Sequence, residues 1–545
     1  MADKPASMRT VVAASSAGTA FEWYDFFIFG TLATVISKTF FSALNDTAAF
    51  IAALALFGAG FAFRPLGALI FGWLGDRAGR KAAFLITVTM MGGATFAIGL
   101  LPTYAQAGPI APILLILMRI IQGTALGGEY GGAAIYVAEH APADKRGAST
   151  GWIQVSAALG LIGALVAILV TRTAIGEEAF AAWGWRIPFL ISAGLLAVSI
   201  WMRLKLSESP AFQALKDAGE HATHPFREAF GQWKNLKLVV LALLAIMFAQ
   251  GAVWYAAFFY TQVFLEKFLK LPAPTVNMLV MVLVVVSAPL YVFFGWLSDK
   301  VGRKWVMLAG MVLSLAFFFP GFQLMAQYGN PALAEAEARM PVTVVADPAA
   351  CSLQFDPVGK AQFTSSCDLA KGVLANAGVS YDNAAAPKGS LAQVRIGDQL
   401  VASAEAGGLA PAQVKAAKAD VETRVKAALR AAGYPLEADP GRINFVGLFA
   451  VLFVFAIGAT ALYGPQASAL VELFPTRVRY TALSLPYHIG TGWVGGFLPF
   501  TAFAIVAATG HIYAGLWYPV IFTAISVVVT LFWWPETKGR PLDAV

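Results

Sequence analysis

A chain of 545 residues that is 58% apolar, 13% charged and carries 41 phenylalanines lies outside the composition of a soluble domain and belongs in a bilayer. Its net charge of +7 does not describe a nucleic-acid surface, because the basic residues gather in alternate loops between apolar runs. Enzyme chemistry is disfavoured as well. The five histidines (140, 221, 224, 488 and 511) form no cluster, and the two cysteines fall outside the apolar runs, so neither a metal site nor a catalytic residue is expected.

A spanning helix needs roughly 20 apolar residues. Twelve runs qualify, at about 11–36, 49–73, 82–103, 110–136, 150–171, 187–203, 237–260, 275–296, 304–327, 443–463, 480–508 and 512–534, six in each half. The expected organisation is a bundle over 1–205, a linker over 206–236, helices seven to nine over 237–327, an insert over 328–442 and helices ten to twelve over 443–545. With Met1 inside, the inner segments hold most of the Lys and Arg, whereas the short outer loops hold only Lys38, Arg172, Arg186, Lys267 and Lys270. Basic residues resist translocation, so both termini are predicted to be cytoplasmic. The first run is long and is followed by more spans, which reads as a retained helix rather than a cleaved signal.

Gly72–Lys81 (GWLGDRAGRK) recurs as Gly295–Lys304 (GWLSDKVGRK), seven of ten identical at an offset of 223. A second repeat, Glu139-x-x-Pro142-x-x-x-Arg146, returns as Glu472-x-x-Pro475-x-x-x-Arg479 at an offset of 333. The chain is thus a duplicated unit with about 110 residues inserted into its second half. The polar stretch from Tyr328 to Arg442 has that size and lies outside. It contains strand-like pieces (Pro341–Asp347, Gln393–Ala402) and a helical stretch, Ala412–Ala432. It also holds Cys351 and Cys367, either two thiols or, in an oxidising periplasm, a disulfide that contributes roughly 3 kcal/mol.

The two GWLxDxxGRK turns, Arg119-Ile-Ile-Gln122-Gly123, Glu139/Pro142/Arg146 and Pro535-Glu-Thr-Lys-Gly-Arg540 together resemble the major facilitator superfamily. Within it, Phe21-Glu-Trp-Tyr-Asp-Phe26, Arg64-Pro-Leu-Gly67 and Gly127-Gly-Glu-Tyr-Gly-Gly132 look like the metabolite:proton symporters, carriers of 2-oxoglutarate, citrate, shikimate and proline or betaine. The resemblance implies an all-α membrane protein of twelve transmembrane helices in two six-helix bundles, with a small extracytoplasmic insert domain. It further implies proton-coupled symport of a small organic acid or zwitterion by a monomer in a bacterial inner membrane, with the proton as coupling ion and no other cofactor. In this family the repeated turns act as latches of the outward-open state, which assigns gating to Asp76, Arg80, Asp299 and Arg303.

Aligning the halves asks which membrane charges have counterparts. Glu22, Asp25, Arg64, Arg119 and Glu129 face Val253, Ala256, Ser287, Leu452 and Leu462. A charge at bilayer depth costs at least a few kcal/mol, and the second half folds without these five, so they read as functional. At 1.5 Å per residue Glu22 and Asp25 are expected about 16–21 Å from the entry of helix one, in one layer with Arg64 and Arg119, and Glu129 lies about 15 Å from Arg119. An Arg fork grips a carboxylate, while a buried carboxyl can take up a proton. Asp25 is therefore the expected proton carrier, assisted by Glu22 or Glu129, with Arg119 coupling it to the substrate and Arg64 as second carboxylate ligand. The structural reading of Glu22 is an ion pair with Arg64 or Arg119.

Tyr24 and Gln122, beside these charges, join the candidate substrate contacts. The opposite wall is expected from the neutral half: Gln250, Trp254, Tyr255, Tyr463 and His488, with Tyr260, Gln466, Tyr487 and Trp493 on the same helices. Gly123, Gly127 and Gly131 read as close helix packing. The rival class is a membrane sensor with a ligand-binding insert.

Overall fold

The computed structural model describes residues 8–41, 60–205, 207–220, 222–353 and 363–542. The helices that build the membrane body are α1 (Met8–Thr31, continued by Ala33–Phe40), α2 (Arg64–Arg77), α3 (Arg80–Leu100), α4 (Ile110–His140), α5 (Arg146–Ile175) and α6 (Arg186–Leu204) in the first half. The second half has α7 (Trp233–Phe268), α8 (Ala273–Val301), α9 (Arg303–Gly329), α10 (Phe445–Leu473), α11 (Arg479–His488, running through a π-helical segment to Leu498–Thr509) and α12 (Trp517–Phe532). Among the described residues nine of these are long and apolar enough to cross a membrane by themselves. The start of the second predicted span, 49–59, lies outside the described residues.

Each half forms one bundle by equivalent pairings: α1 on α5, α2 on α4 and α3 on α6, mirrored by α7 on α11, α8 on α10 and α9 on α12. The halves meet along α5 against α8 and α2 against α11. Glycine sets the spacing between α2 and α4. Gly123 abuts the Gly60 main chain, Gly127 abuts the Arg64 and Gly67 main chain, and Gly67 abuts the Thr124 carbonyl, whereas Gly131 packs on Tyr480 and Ser484 of the other half. A Cβ at Gly67 has no room, so Gly67→Leu is expected to abolish the folded peak in detergent gel filtration, while Gly93→Leu, with open space around it, leaves it intact.

The duplicated turn has one geometry in both halves. Gly79 and Gly302 stand at φ +116° and +111°, a region that only glycine occupies without strain. Lys81 and Lys304 each donate from Nζ to a carbonyl at the end of the neighbouring helix, Leu204 of α6 and Leu531 of α12. The N–H groups that open α3 and α9 are received by Glu208 and Glu536. Asp76 and Asp299, beside these turns, therefore do not serve the helix that follows them. Each instead caps a helix of the opposite half: Asp76 accepts from Tyr480 and Thr481 N–H at the start of α11, and Asp299 accepts from Gly147 and Ala148 N–H at the start of α5.

The segment between α9 and α10 folds as an α/β unit with its own core. Strands β1 (Val342–Ala346), β2 (Tyr381–Ala385), β3 (Gln393–Ile396) and β4 (Gln399–Ala402) form a sheet in the order β2-β1-β3-β4, with β1 and β2 parallel and the other pairs antiparallel. The strand-like piece Gln393–Ala402 is in fact a hairpin, turned at Gly397 with φ +56°. Cys351 and Cys367 are joined by a disulfide. Among the described residues the unit is bonded to the second bundle: Tyr381 N–H donates to the Gly510 carbonyl, Lys371 Nζ to Ala508 and Ala438 N–H to Lys270. The two faces of the molecule are called below the terminal side, which carries Met8 and Leu542, and the insert side.

Candidate functional site

Among the described residues, Glu22, Asp25, Arg64, Arg119 and Glu129 of the first bundle are all buried, and they differ in their partners. Glu22 is paired with Arg203 of α6 at 3.0 Å, both nearly fully buried. Arg203 also donates to the Phe84 carbonyl of α3, and its guanidinium lies over the Phe84 ring. Glu22 therefore answers neither Arg64 nor Arg119, whose guanidiniums lie 5.0 and 5.6 Å from the Phe26 ring. In the sequence Arg203 is one of the basic residues at the inner ends of the apolar runs. Its long side chain reaches back along α6 into the bundle, and position in sequence gives no sign of that.

Asp25, one helical turn further along α1, is buried beside Thr95 of α3, and its Oδ1 has no hydrogen-bond partner. A chain of polar groups leads away from it: Arg119 Nη1 donates to Gln122 Oε1 at 2.8 Å, and Gln122 Nε2 donates to Thr95 Oγ1 at 2.7 Å. Arg119 is fully buried over Phe29 of α1. Arg119 and Gln122 thus sit inside the first bundle, linked to Asp25 through Thr95, and not on its open face. Tyr24 is also turned inward, with its hydroxyl donating to the Pro188 carbonyl of α6, which removes it from the candidate substrate contacts. Glu129 is buried with Oε1 unpartnered.

Arg64 occupies a different position, at the seam between the halves. Its guanidinium is stacked over Phe61 at 4.2 Å and Phe26 at 5.0 Å, and it faces Tyr255, Tyr463 and Tyr487 of the second half. Nε and Nη2 are buried without a hydrogen-bond partner. His488 is buried nearby, facing Arg64 and the Gly127 main chain. A buried cation with unsatisfied donors is costly, and here those donors point toward neutral, aromatic groups.

Those groups form one network across the seam. The Tyr130 ring of α4 lies parallel to that of Tyr487 of α11 at 3.7 Å, and the Tyr487 and Tyr463 hydroxyls are bonded at 2.8 Å. Gln154 of α5 donates to the Tyr130 hydroxyl at 2.8 Å, with Gln466 of α10 at 3.5 Å. Trp254 Nε1 donates to the Tyr291 hydroxyl at 2.9 Å. Tyr130 and Tyr463 are repeat equivalents, and they stand 6.4 Å apart with rings nearly parallel. The repeat offset of 333 pairs these two residues in sequence, while Tyr291 and Gln154 carry no such signal. Gln250 is buried with Oε1 unpartnered. Two residues of the neutral half lie elsewhere: Trp493 is 45% exposed, and Tyr260 packs on Phe322 within the second bundle.

Above this network, toward the insert side, a cavity of about 570 Å³ opens between α1, α5, α7 and α8. Trp254, Tyr291 and Gln154 form its deep end, and Gln262 and Asn277 are its polar groups nearest the insert side. None of the five first-half charges lines it, so a solute there meets neutral polar and aromatic groups before it meets Arg64.

Below the network the terminal side is tied across the seam. Arg80 pairs with Asp76 at 2.8 Å and donates to the Thr476 carbonyl at 2.7 Å, and Arg303 pairs with Asp299 at 2.6 Å. Arg146 reaches Glu472 and Arg479 reaches Glu139, each at 2.8 Å and each from one half to the other. The Glu-Pro-Arg repeat thus supplies two reciprocal crossings.

Two repeated six-helix bundles that meet over a polar centre and are tied on one face have the architecture of a two-bundle membrane transporter, not of an enzyme. The chain belongs to the sugar (and other) transporter family, within the major facilitator superfamily; that family's model matches residues 10–228 and 428–545. It is 36% identical over 328 residues to a proline/betaine transporter of Salmonella typhimurium and 37% identical over 324 residues to a shikimate transporter of Escherichia coli, each match covering 58% of this chain. These matches span 65% of the length of the first relative and 72% of the second. The fold is that of the proton:xylose symporter XylE, with a TM-score of 0.62 at 14% identity and 98% of both chains covered.

Proposed function

We propose that the protein is a secondary active transporter that takes up a small organic carboxylate together with protons by alternating access, in a bacterial inner membrane with both termini cytoplasmic and the insert periplasmic. The observation that carries this reading is Arg64, a buried guanidinium with two unpartnered nitrogens turned toward the tyrosines of the second half. A carboxylate seated there completes two charge-assisted hydrogen bonds. Asp25 is the proton carrier, because it has no cation partner among the described residues and an unpartnered oxygen. The Thr95–Gln122–Arg119 chain connects it to the bundle interior, so Arg119 acts through Asp25 and Arg64 grips the substrate. No group other than the proton is needed, and one copy of the chain contains the whole site.

Proteoliposomes with an imposed pH gradient test this with labelled shikimate, 2-oxoglutarate, citrate, proline and glycine betaine. Gradient-dependent accumulation of at least one is expected. No gradient-dependent flux of any would overturn the reading. A zwitterion is the second reading, supported by the aromatic faces of Phe61, Tyr255, Tyr463 and Trp254 around the site, which suit a quaternary ammonium group beside the bound carboxylate.

Asp76, Arg80, Asp299 and Arg303 act as the latch of the terminal side. Replacing a buried charged acceptor removes roughly 1.5–3 kcal/mol per bond. Asp76→Asn is therefore expected to raise the rate at which a maleimide labels a cysteine at Ser484, beneath the Tyr130–Tyr487 stack, by at least about tenfold. Unchanged labelling would assign Asp76 to folding alone.

A further inference from the structure

On the terminal side a second groove, of about 590 Å³, lies in the seam between the halves, bounded by the starts of α1 and α5 and the end of α8. Three exposed cations line it, each from a different segment: Arg9 of α1, Lys145 just before α5 and Lys300 of α8. Two carboxylates also border it. That of Asp299 is already taken up by Arg303 and the N–H groups of Gly147 and Ala148, which leaves exposed Asp144 as the only opposing charge among the described residues that line the groove.

The aromatic groups give the groove a depth. Trp152 lies seven residues beyond Lys145 and Trp296 four residues before Lys300, about 10.5 and 6 Å below those cations at 1.5 Å per residue. Both indoles line the groove and are half exposed on the outer surface of the bundles. Cations at the rim with tryptophan one to two turns deeper is the order in which a phospholipid presents its phosphate and then its glycerol and upper acyl chains. A soluble anion would engage the cations and leave both indoles unused.

We propose that this groove holds the headgroup of an anionic phospholipid. Because its walls come from both halves, the lipid bridges them beside the Asp299 latch and is retained only where α5 and α8 are packed together at this face. The inference does not depend on the nature of the transported solute.

Native mass spectrometry of the purified full-length protein, with phosphatidylglycerol or phosphatidylcholine added, tests it. One phosphatidylglycerol is expected to be held in preference to phosphatidylcholine. Each of Arg9→Gln, Lys145→Gln and Lys300→Gln should weaken that retention by about fivefold, and the triple variant by on the order of a hundredfold, because a basic group at the membrane surface contributes about 1 kcal/mol. Lys216→Gln and Lys234→Gln, on the same face but outside the groove, should change nothing. These side chains are exposed, so the single variants carry the test even where the triple variant fails to fold. Retention unaffected by the single variants, equal retention of phosphatidylcholine, or displacement of the lipid by soluble glycerol phosphate would each overturn the proposal.

Discussion

Asp25→Asn is expected to abolish accumulation driven by a pH gradient while leaving counterflow exchange of the same solute intact. Asparagine keeps the shape of the carboxyl and its contact with Thr95 but cannot gain or lose a proton, so the site is fixed in a neutral form. One proton per solute and a gradient of one pH unit support at most about tenfold accumulation, since one unit is 1.36 kcal/mol; the variant should equilibrate to a ratio of about one. Glu22→Gln provides the contrast. It leaves Arg203 buried without its partner, at a cost of about 3–5 kcal/mol, and is expected to lower the yield of folded protein before it alters coupling. Equal loss of accumulation and exchange in Asp25→Asn, with a lowered melting temperature, would give Asp25 a structural role.

Arg64→Gln should weaken substrate binding by about a hundredfold, measured as Kd by tryptophan fluorescence or as KM in exchange. Removing one partner of a buried, hydrogen-bonded charge pair costs roughly 2–5 kcal/mol, and about 3 kcal/mol is a factor near a hundred. The melting temperature should hold, because Arg64 makes ring contacts while two of its nitrogens bond to nothing. Arg64→Lys keeps the charge and loses the fork, and should fall between the two. Unchanged affinity in Arg64→Gln would return the carboxylate to Arg119.

Much of the fold was legible because bilayer insertion writes itself into composition: each span is a run of apolar residues and each turn a cluster of charge. The duplication was legible through GWLxDxxGRK, and the conformation of Gly79 and Gly302 explains why both copies keep that glycine. The candidate site was less so. Helical spacing places Glu22 and Asp25 on one face of α1, but it cannot say that Arg203, 181 residues away, reaches only the first of them. Nor can it show that Tyr24 and Gln122 turn into the bundle while Arg64 stands at the seam.

By itself, then, the sequence determined the two-bundle membrane body, the size of the insertion and the confinement of intramembrane charge to one half, all of which follow from local hydropathy and repeat register. Only the tertiary structure decided which charges neutralise one another, that Asp76 and Asp299 cap helices of the opposite half, and that Tyr130 meets its repeat equivalent across the seam. Those outcomes depend on distances between side chains far apart in the chain, and a single charge, read along a helix, is compatible with any partner its neighbours bring within reach.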